Sequence, residues 1–153
     1  MKYKIYKKSG KWYVDVDCVT MTFRNTKLKH LTNKLFQFGK VGDFSRSTHN
    51  WISRGFSIGG YASKVETLEG APEEILGDLD CEYCESLKSL KGCPKQIERF
   101  LNLDNCPNIK DIKDLKNLNK VYSIFASKKT HITEDEIRKY VPKSVCNTIY
   151  GDW

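Results

Sequence analysis

Two adjacent segments of this chain are copies of one another. Setting "VETLEGAPEEILGDLDCEYCES" (65–86) above "LKSLKGCPKQIERFLNLDNCPN" (87–108) superposes Val65 on Leu87, Leu68 on Leu90, Gly70 on Gly92 and Pro72 on Pro94 at a step of 22 residues. The same step brings Ile75 over Ile97, Leu79 over Leu101, Cys81 over Leu103 and Cys84 over Cys106. A looser third copy continues through Ile109 and Ile112 and then, one residue shorter, through Leu118, Tyr122, Ile124 and Ser127. Upstream, Phe56, Ile58 and Tyr61 form another copy with one residue inserted before Val65, and "LKHL" (28–31) and "VGDF" (41–44) hint at a degenerate earlier one. A unit this short cannot bury its own apolar face, so the copies must stack and share one long core.

Within a copy the pattern is that of "LNLDNCPNIKDI" (101–112), and "LDCEYCESLKSL" (79–90) repeats it with Cys81 in a leucine slot. A short strand sends alternate residues inward, so Leu79 and Cys81, Leu101 and Leu103, and Tyr122 and Ile124 are expected to line the core of a parallel sheet with one strand per copy. The turn after each strand needs a small side chain that satisfies backbone groups beneath it, and Tyr61, Cys84, Cys106 and Ser127 hold that position. Pro72 and Pro94 fall outside the strand ladder, where a missing N–H costs nothing. On these residues the stretch 54–130 resembles a leucine-rich repeat of the variety with cysteine where asparagine is commoner. The phrases "LEGAP" and "LKGCP" are similar to those of small repeat proteins carried by bacteria and bacteriophages. The fold class expected is α/β or mainly β, a short leucine-rich-repeat-like solenoid.

The ends of such a stack need covers. Tyr3 and Ile5, then a turn of Lys7, Lys8, Ser9, Gly10 and Lys11, then Val14, Val16 and Cys18 read as a β-hairpin, and "VTMTF" (19–23) continues as a third strand. At the other end "THITEDEIRKYVPK" (130–143) reads as a helix with Thr133 as N-cap, Glu136 closing a capping box, Arg138 and Lys139 in the last turn and Pro142 as stop. The expected organisation is one structural unit: a hairpin cap over 1–53, the repeats over 54–130 and a helical cap over 131–153.

Charge divides the chain. Residues 1–64 carry 13 Lys and Arg against Asp15, Asp17 and Asp43, whereas residues 65–153 carry 13 against 16 acids. A basic end suits nucleic acid or an acidic protein. The opening "MKYKIYKKSGKWYV" has no apolar core of a secretory signal, and no apolar run approaches the ~20 residues of a membrane helix. A cytoplasmic protein with no membrane partner is therefore expected, its six cysteines held as thiols. Cys81, Cys84, Cys93 and Cys106 admit a second reading as four thiolates around zinc. Against it, Leu103 stands at the repeat position of Cys81, so packing is the expected role, as it is for Cys18 and Cys146, and no metal or cofactor is expected.

Function is expected on the residues that alternate with the inward ones. Besides Ser57, Gly59 and Val121, these are Asp78, Asp80, Glu82, Phe100, Asn102, Asp104, Ser123 and Phe125. Rings beside charges are typical of protein interfaces; the alternative is a solvated sheet with an acidic stripe. Lys4, Lys7, Lys8, Lys11 and Trp12 form a second candidate, because lysines interleaved with aromatics can grip a phosphate backbone and stack bases. The same lysines can instead guard an exposed sheet edge. The histidines, His30, His49 and His131, are scattered, and no phosphate loop, metalloprotease or nucleophile-elbow motif occurs. The leading expectation is a non-enzymatic protein-binding module, and the bacteriophage resemblance implies an inhibitor or adaptor of a host enzyme or defence component. The alternative is nucleic-acid binding through the N-terminal half.

Overall fold

A computed structural model describes residues 3–16, 19–23, 40–41, 55–58, 64–75, 77–127 and 129–153, with the backbone alone for 3–5, 11–12, 14–16, 19–23, 40–41 and 55–57. Ser9 and Gly10, both at positive φ (49° and 77°), make the two-residue turn between strands β1 (Tyr3–Lys8) and β2 (Lys11–Val16). Such a turn matches the natural twist of a hairpin. The hairpin is thus tighter than expected, since Lys7, Lys8 and Lys11 belong to the strands. β3 (Val19–Phe23) pairs antiparallel with β2, as its alternation predicts. Cys18 and the segments around 28–31 and 42–44 lie outside the described residues.

Beyond the hairpin the fold is mixed α/β, with few helices and a largely parallel sheet. β4 (Lys40–Val41) runs antiparallel to β5 (Gly55–Ser57), and β5 begins a parallel series through β7 (Asp78–Asp80), β8 (Gln96–Asn102), β9 (Lys120–Phe125) and β10 (Thr148–Tyr150). The short strand β6 (Glu74–Ile75) lies beside the start of β8 and joins the series to β3. In all, ten strands form one sheet among the described residues.

Stacking follows the 22-residue step. The Lys88 N–H donates to Glu66 O and the Lys110 N–H to Lys88 O, both at 2.9 Å. On the strand side, Cys81 N–H donates to Asn102 O, Leu103 N–H to Phe125 O and Ala126 N–H to Tyr150 O, each at 2.8 Å. Backbone groups that a lone copy would leave open are therefore satisfied by its neighbours. The apolar residues beneath form rows: Leu68 and Leu90; Ile75, Ile97 and Val121; Leu79, Leu101, Ile124 and Ile149; Cys81, Leu103 and Ala126, all buried. Each large member contributes roughly 1.5–3 kcal/mol by leaving water. Outside, Lys88–Glu66 (2.7 Å), Lys91–Glu69 (2.8 Å), Lys95–Glu73 (2.7 Å) and Lys120–Glu98 (2.7 Å) pair one copy's acid with the next copy's lysine. Lys88–Glu66 and Lys91–Glu69 are exposed on both sides and screened by water, so they add little, whereas Glu73 and Glu98 are partly buried.

Three expectations are corrected. First, the third copy is longer than its predecessor: Ile97 pairs with Val121 and Leu101 with Ile124, across an irregularity between Ile97 and Phe100. A 3-10 turn, Lys113–Asn117, takes up the extra residues. The inward pair is therefore Ile124 and Ala126, and Tyr122 is 69% exposed. Second, Thr130 and not Ser127 continues the turn ladder. Cys84 Sγ donates to Val65 O (3.6 Å), Cys106 Sγ to Cys81 O (3.0 Å), and the Thr130 hydroxyl donates to Leu103 O while accepting from Cys106 N–H (3.0 Å). Third, the helix α1 (Glu134–Arg138) has the expected capping box on Thr133 but ends after five residues, and the chain then adds β10. Arg138 fixes that return by donating to the carbonyls of Cys146 and Asn147.

Candidate functional site

The outward face of β7 to β10 carries most of the expected binding residues. Register places Asp80, Asn102, Phe125 and Tyr150 in one row across four strands. Neighbouring strands lie ~4.8 Å apart, so these residues are successive neighbours across the sheet. Phe125 stacks on Tyr150 with centroids 4.7 Å apart, and Phe100 meets Phe125 edge-on at 5.5 Å and Tyr122 at 6.2 Å. Interlocked rings at these distances hold each other in place. Tyr122, Tyr150 (48% exposed) and Trp153 (53% exposed) are the large exposed hydrophobic side chains among the described residues, and all lie towards the chain's C-terminal end.

Asp78 and Ser123 leave the expected surface. Asp78 is 5% exposed and Ser123 1%. Asp78 sits opposite Phe100 at the β8 irregularity, accepts from Phe100 N–H (3.3 Å) and has Arg99 Nε 3.6 Å away. Its carboxylate stands in for a lost strand partner. Burial raises its pKa above the ordinary value, against the lowering influence of Arg99 and of the Phe100 N–H. Arg99 in turn lies over the Phe100 ring, with Cζ 5.0 Å from the centroid.

Asp80, Asn102 and Asp104 shape the turns that follow the strands. Asp80 Oδ1 accepts from Glu82 N–H (3.0 Å) and Asn102 Oδ1 from Asp104 N–H (3.0 Å). These are side-chain turns of the Asx kind. Asp104 Oδ1 accepts from both the backbone N–H (2.7 Å) and the hydroxyl (2.6 Å) of Ser127. Burial raises the pKa of Asp80, opposed by the Glu82 N–H, and the negative charge of Asp104 raises it further. The two carboxylates therefore feel one another across the sheet. Glu82 is half-buried beside them.

Of the N-terminal candidates, Lys7 and Lys8 are exposed on β1, and Tyr6 stacks on Tyr13 across the hairpin at 5.3 Å. The side chains of Lys4, Lys11 and Trp12 lie outside the described residues, as do His30 and His49. Among the described residues no three Cys, His, Asp or Glu side chains are grouped so as to hold a metal ion, and no helix is long and apolar enough to cross a membrane. Cys81, Cys84, Cys93, Cys106 and Cys146 are all buried thiols. Burial raises the pKa of Cys81, Cys93 and Cys146 and pushes that of Cys106 up to about 12.

Sequence reasoning missed Tyr122, Tyr150 and Trp153. Nothing in the local pattern marks Tyr150, because "NTIYGDW" (147–153) is too short to announce a strand without the partner it pairs with. Comparison of the chain with protein-family models, with curated proteins and with solved structures gives no significant match.

Proposed function

We propose that this chain is a short leucine-rich-repeat-like solenoid, covered at one end by its hairpin and at the other by the α1–β10 return. In this reading it works as a non-enzymatic protein-binding module of the cytosol. Its partner docks on the outward face of β7 to β10, and Asp80, Glu82, Phe100, Asn102, Asp104 and Phe125 remain site residues, joined by Tyr122 and Tyr150. One observation carries the reading: a set of interlocked aromatic rings faces outward from a parallel sheet whose inward side already supplies the core. Burying exposed rings in a partner's pocket is the usual source of binding energy at interfaces, and the packed rows beneath let outward residues change without loss of the fold. The resemblance to bacteriophage repeat proteins adds the narrower proposal that the partner is a host enzyme or defence component, inhibited or recruited by this chain.

Site-directed photo-crosslinking tests the face. A crosslinker at Asn102 or Tyr122 should capture one protein from the source cell, and a crosslinker at Lys116, on the 3-10 turn, should not. Equal capture from both positions, or from neither, refutes the assignment.

A second reading rests on the stacked Tyr6–Tyr13 pair flanked by the exposed Lys7 and Lys8. Rings and lysines on one ribbon suit a nucleic-acid strand. Its affinity for an oligonucleotide would fall steeply with salt, and a flat response between low and physiological salt would dispose of it.

A further inference from the structure

Resting on the binding face just proposed, we infer that its partner presents arginine: the face takes an extended, basic segment of another protein, with guanidinium groups laid on Phe125 and Tyr150 and paired with Asp80 and Asp104.

The charges on the face are uneven. Besides the buried Asp78, strands β7 to β10 and the turns after β7 and β8 carry Asp80, Glu82, Glu98 and Asp104 against Arg99 and Lys120. Arg99 is placed beside Asp78 and Lys120 on Glu98. Among the described residues Asp80 and Asp104 have backbone or hydroxyl donors and no cation. The Asp104 charge, which contributes to the raised pKa of Asp80, is what an arriving cation would offset.

The protein already contains a small version of the contact. Arg99 spreads over the Phe100 ring while its Nε faces the Asp78 carboxylate. One row along, Asn102 separates Asp80 from Phe125, and Tyr150 extends that ring surface by another strand. A carboxylate and a ring surface thus recur on one row, with Asn102 between them, but no guanidinium of this chain fills this second position among the described residues. Arginine suits it better than lysine, because a flat guanidinium can stack on a ring and donate sideways to a carboxylate at once.

The test uses a short peptide with two arginines, the same peptide with citrulline at those positions, and the same peptide with glutamate there. Titration calorimetry is paired with NMR of the tyrosine rings. The arginine peptide should bind at least ~5-fold more tightly than the citrulline peptide, in keeping with one or two desolvated ring–cation contacts, and should shift the Tyr150 ring signals. The double variant Asp80→Asn/Asp104→Asn keeps both Oδ1 acceptors, so the turns survive, and should remove the preference. Tyr150→Ala should weaken the arginine peptide by about the same factor, with an unchanged melting temperature showing that the fold is intact. Equal binding of the arginine and citrulline peptides, tighter binding of the glutamate peptide, or shifts confined to Tyr6 and Tyr13 would overturn the inference. A face that captures its partner by crosslinking while the arginine peptide fails would overturn the partner chemistry alone; failure of both would remove the face as well.

Discussion

Gly92 shows how tightly one residue can be held by the repeat. Its φ is +86°, and a Cβ there would lie 2.6 Å from Glu69 Cα and 2.7 Å from Leu68 O, both backbone atoms of the preceding copy. Neither can move without moving the stack. Gly92→Ala should therefore cost about 2–4 kcal/mol, the sum of a left-handed backbone and a forced separation of two copies, read as a lowered urea midpoint. A loss below about 0.5 kcal/mol would mean that the copies stack more loosely than this.

Asp78 carries the other single-residue prediction. Burial, the largest influence, raises its pKa, so the folded protein holds a proton on Asp78 more tightly than the unfolded chain does. For a raised carboxylic acid the stabilisation is present below the unfolded pKa, near 4, and is lost as pH rises through the folded value. Asp78→Asn keeps an acceptor for Phe100 N–H without the buried charge. It should melt higher than the parent at pH 7, with the gap closing as pH falls towards about 4. A variant that melts lower at pH 7 would show that the Arg99 ion pair outweighs the desolvation.

At the scale of elements, sequence and structure agree where the signal is local and part where it is not. The capping box survives in full: Glu136 N–H donates to Thr133 Oγ1 (3.3 Å) and Thr133 N–H to Glu136 Oε2 (2.8 Å). Thr133→Ala should cost about 1 kcal/mol, the usual loss for a cap. Hydrogen bonds from the Thr133 backbone and side chain lower the Glu136 pKa, so its contribution is present above the unfolded pKa and fades as pH falls through the folded one. The Thr133→Ala deficit should accordingly shrink in acid, which thermal melts at pH 7 and pH 3 would register; a deficit constant with pH would assign the stabilisation to the hydroxyl alone. The hairpin was legible as well, because Gly and Ser between alternating residues are a short-range signal, although its turn is Ser9–Gly10 alone and not the five residues Lys7 to Lys11. Strand β10 was not, since Thr148–Tyr150 is a strand only because β9 lies beside it. Likewise the two-sided life of Asp80, Asn102 and Asp104, as turn formers and as face residues, could not be separated from composition.

For the whole molecule, the stacked core predicts that its thiols answer together. Cys81 belongs to one copy, Cys93 and Cys106 to the next and Cys146 to the return, all buried within one apolar cluster. At pH 8 an alkylating reagent should leave them unlabelled in the folded state and modify them at one common rate as urea approaches the unfolding midpoint, as mass mapping would show peptide by peptide. Faster labelling of Cys146 alone would mark the α1–β10 return as a separately opening unit.

The repeat step, the inward rows from Leu68 to Leu103, the hairpin and the capped helix start were all settled by the sequence, because each depends on a periodicity or on a contact only a few residues long. The register of the third copy, the outward turn of Tyr122, the burial of Asp78 and Ser123, the substitution of Thr130 for Ser127 and the joining of Tyr150 to the ring row were decided by tertiary structure alone. Each depends on which residue of one copy lies opposite which residue of the next. A single irregularity between Ile97 and Phe100 shifts that pairing for everything after it, and backbone hydrogen bonds between strands, not side-chain pattern within one, fix where it falls.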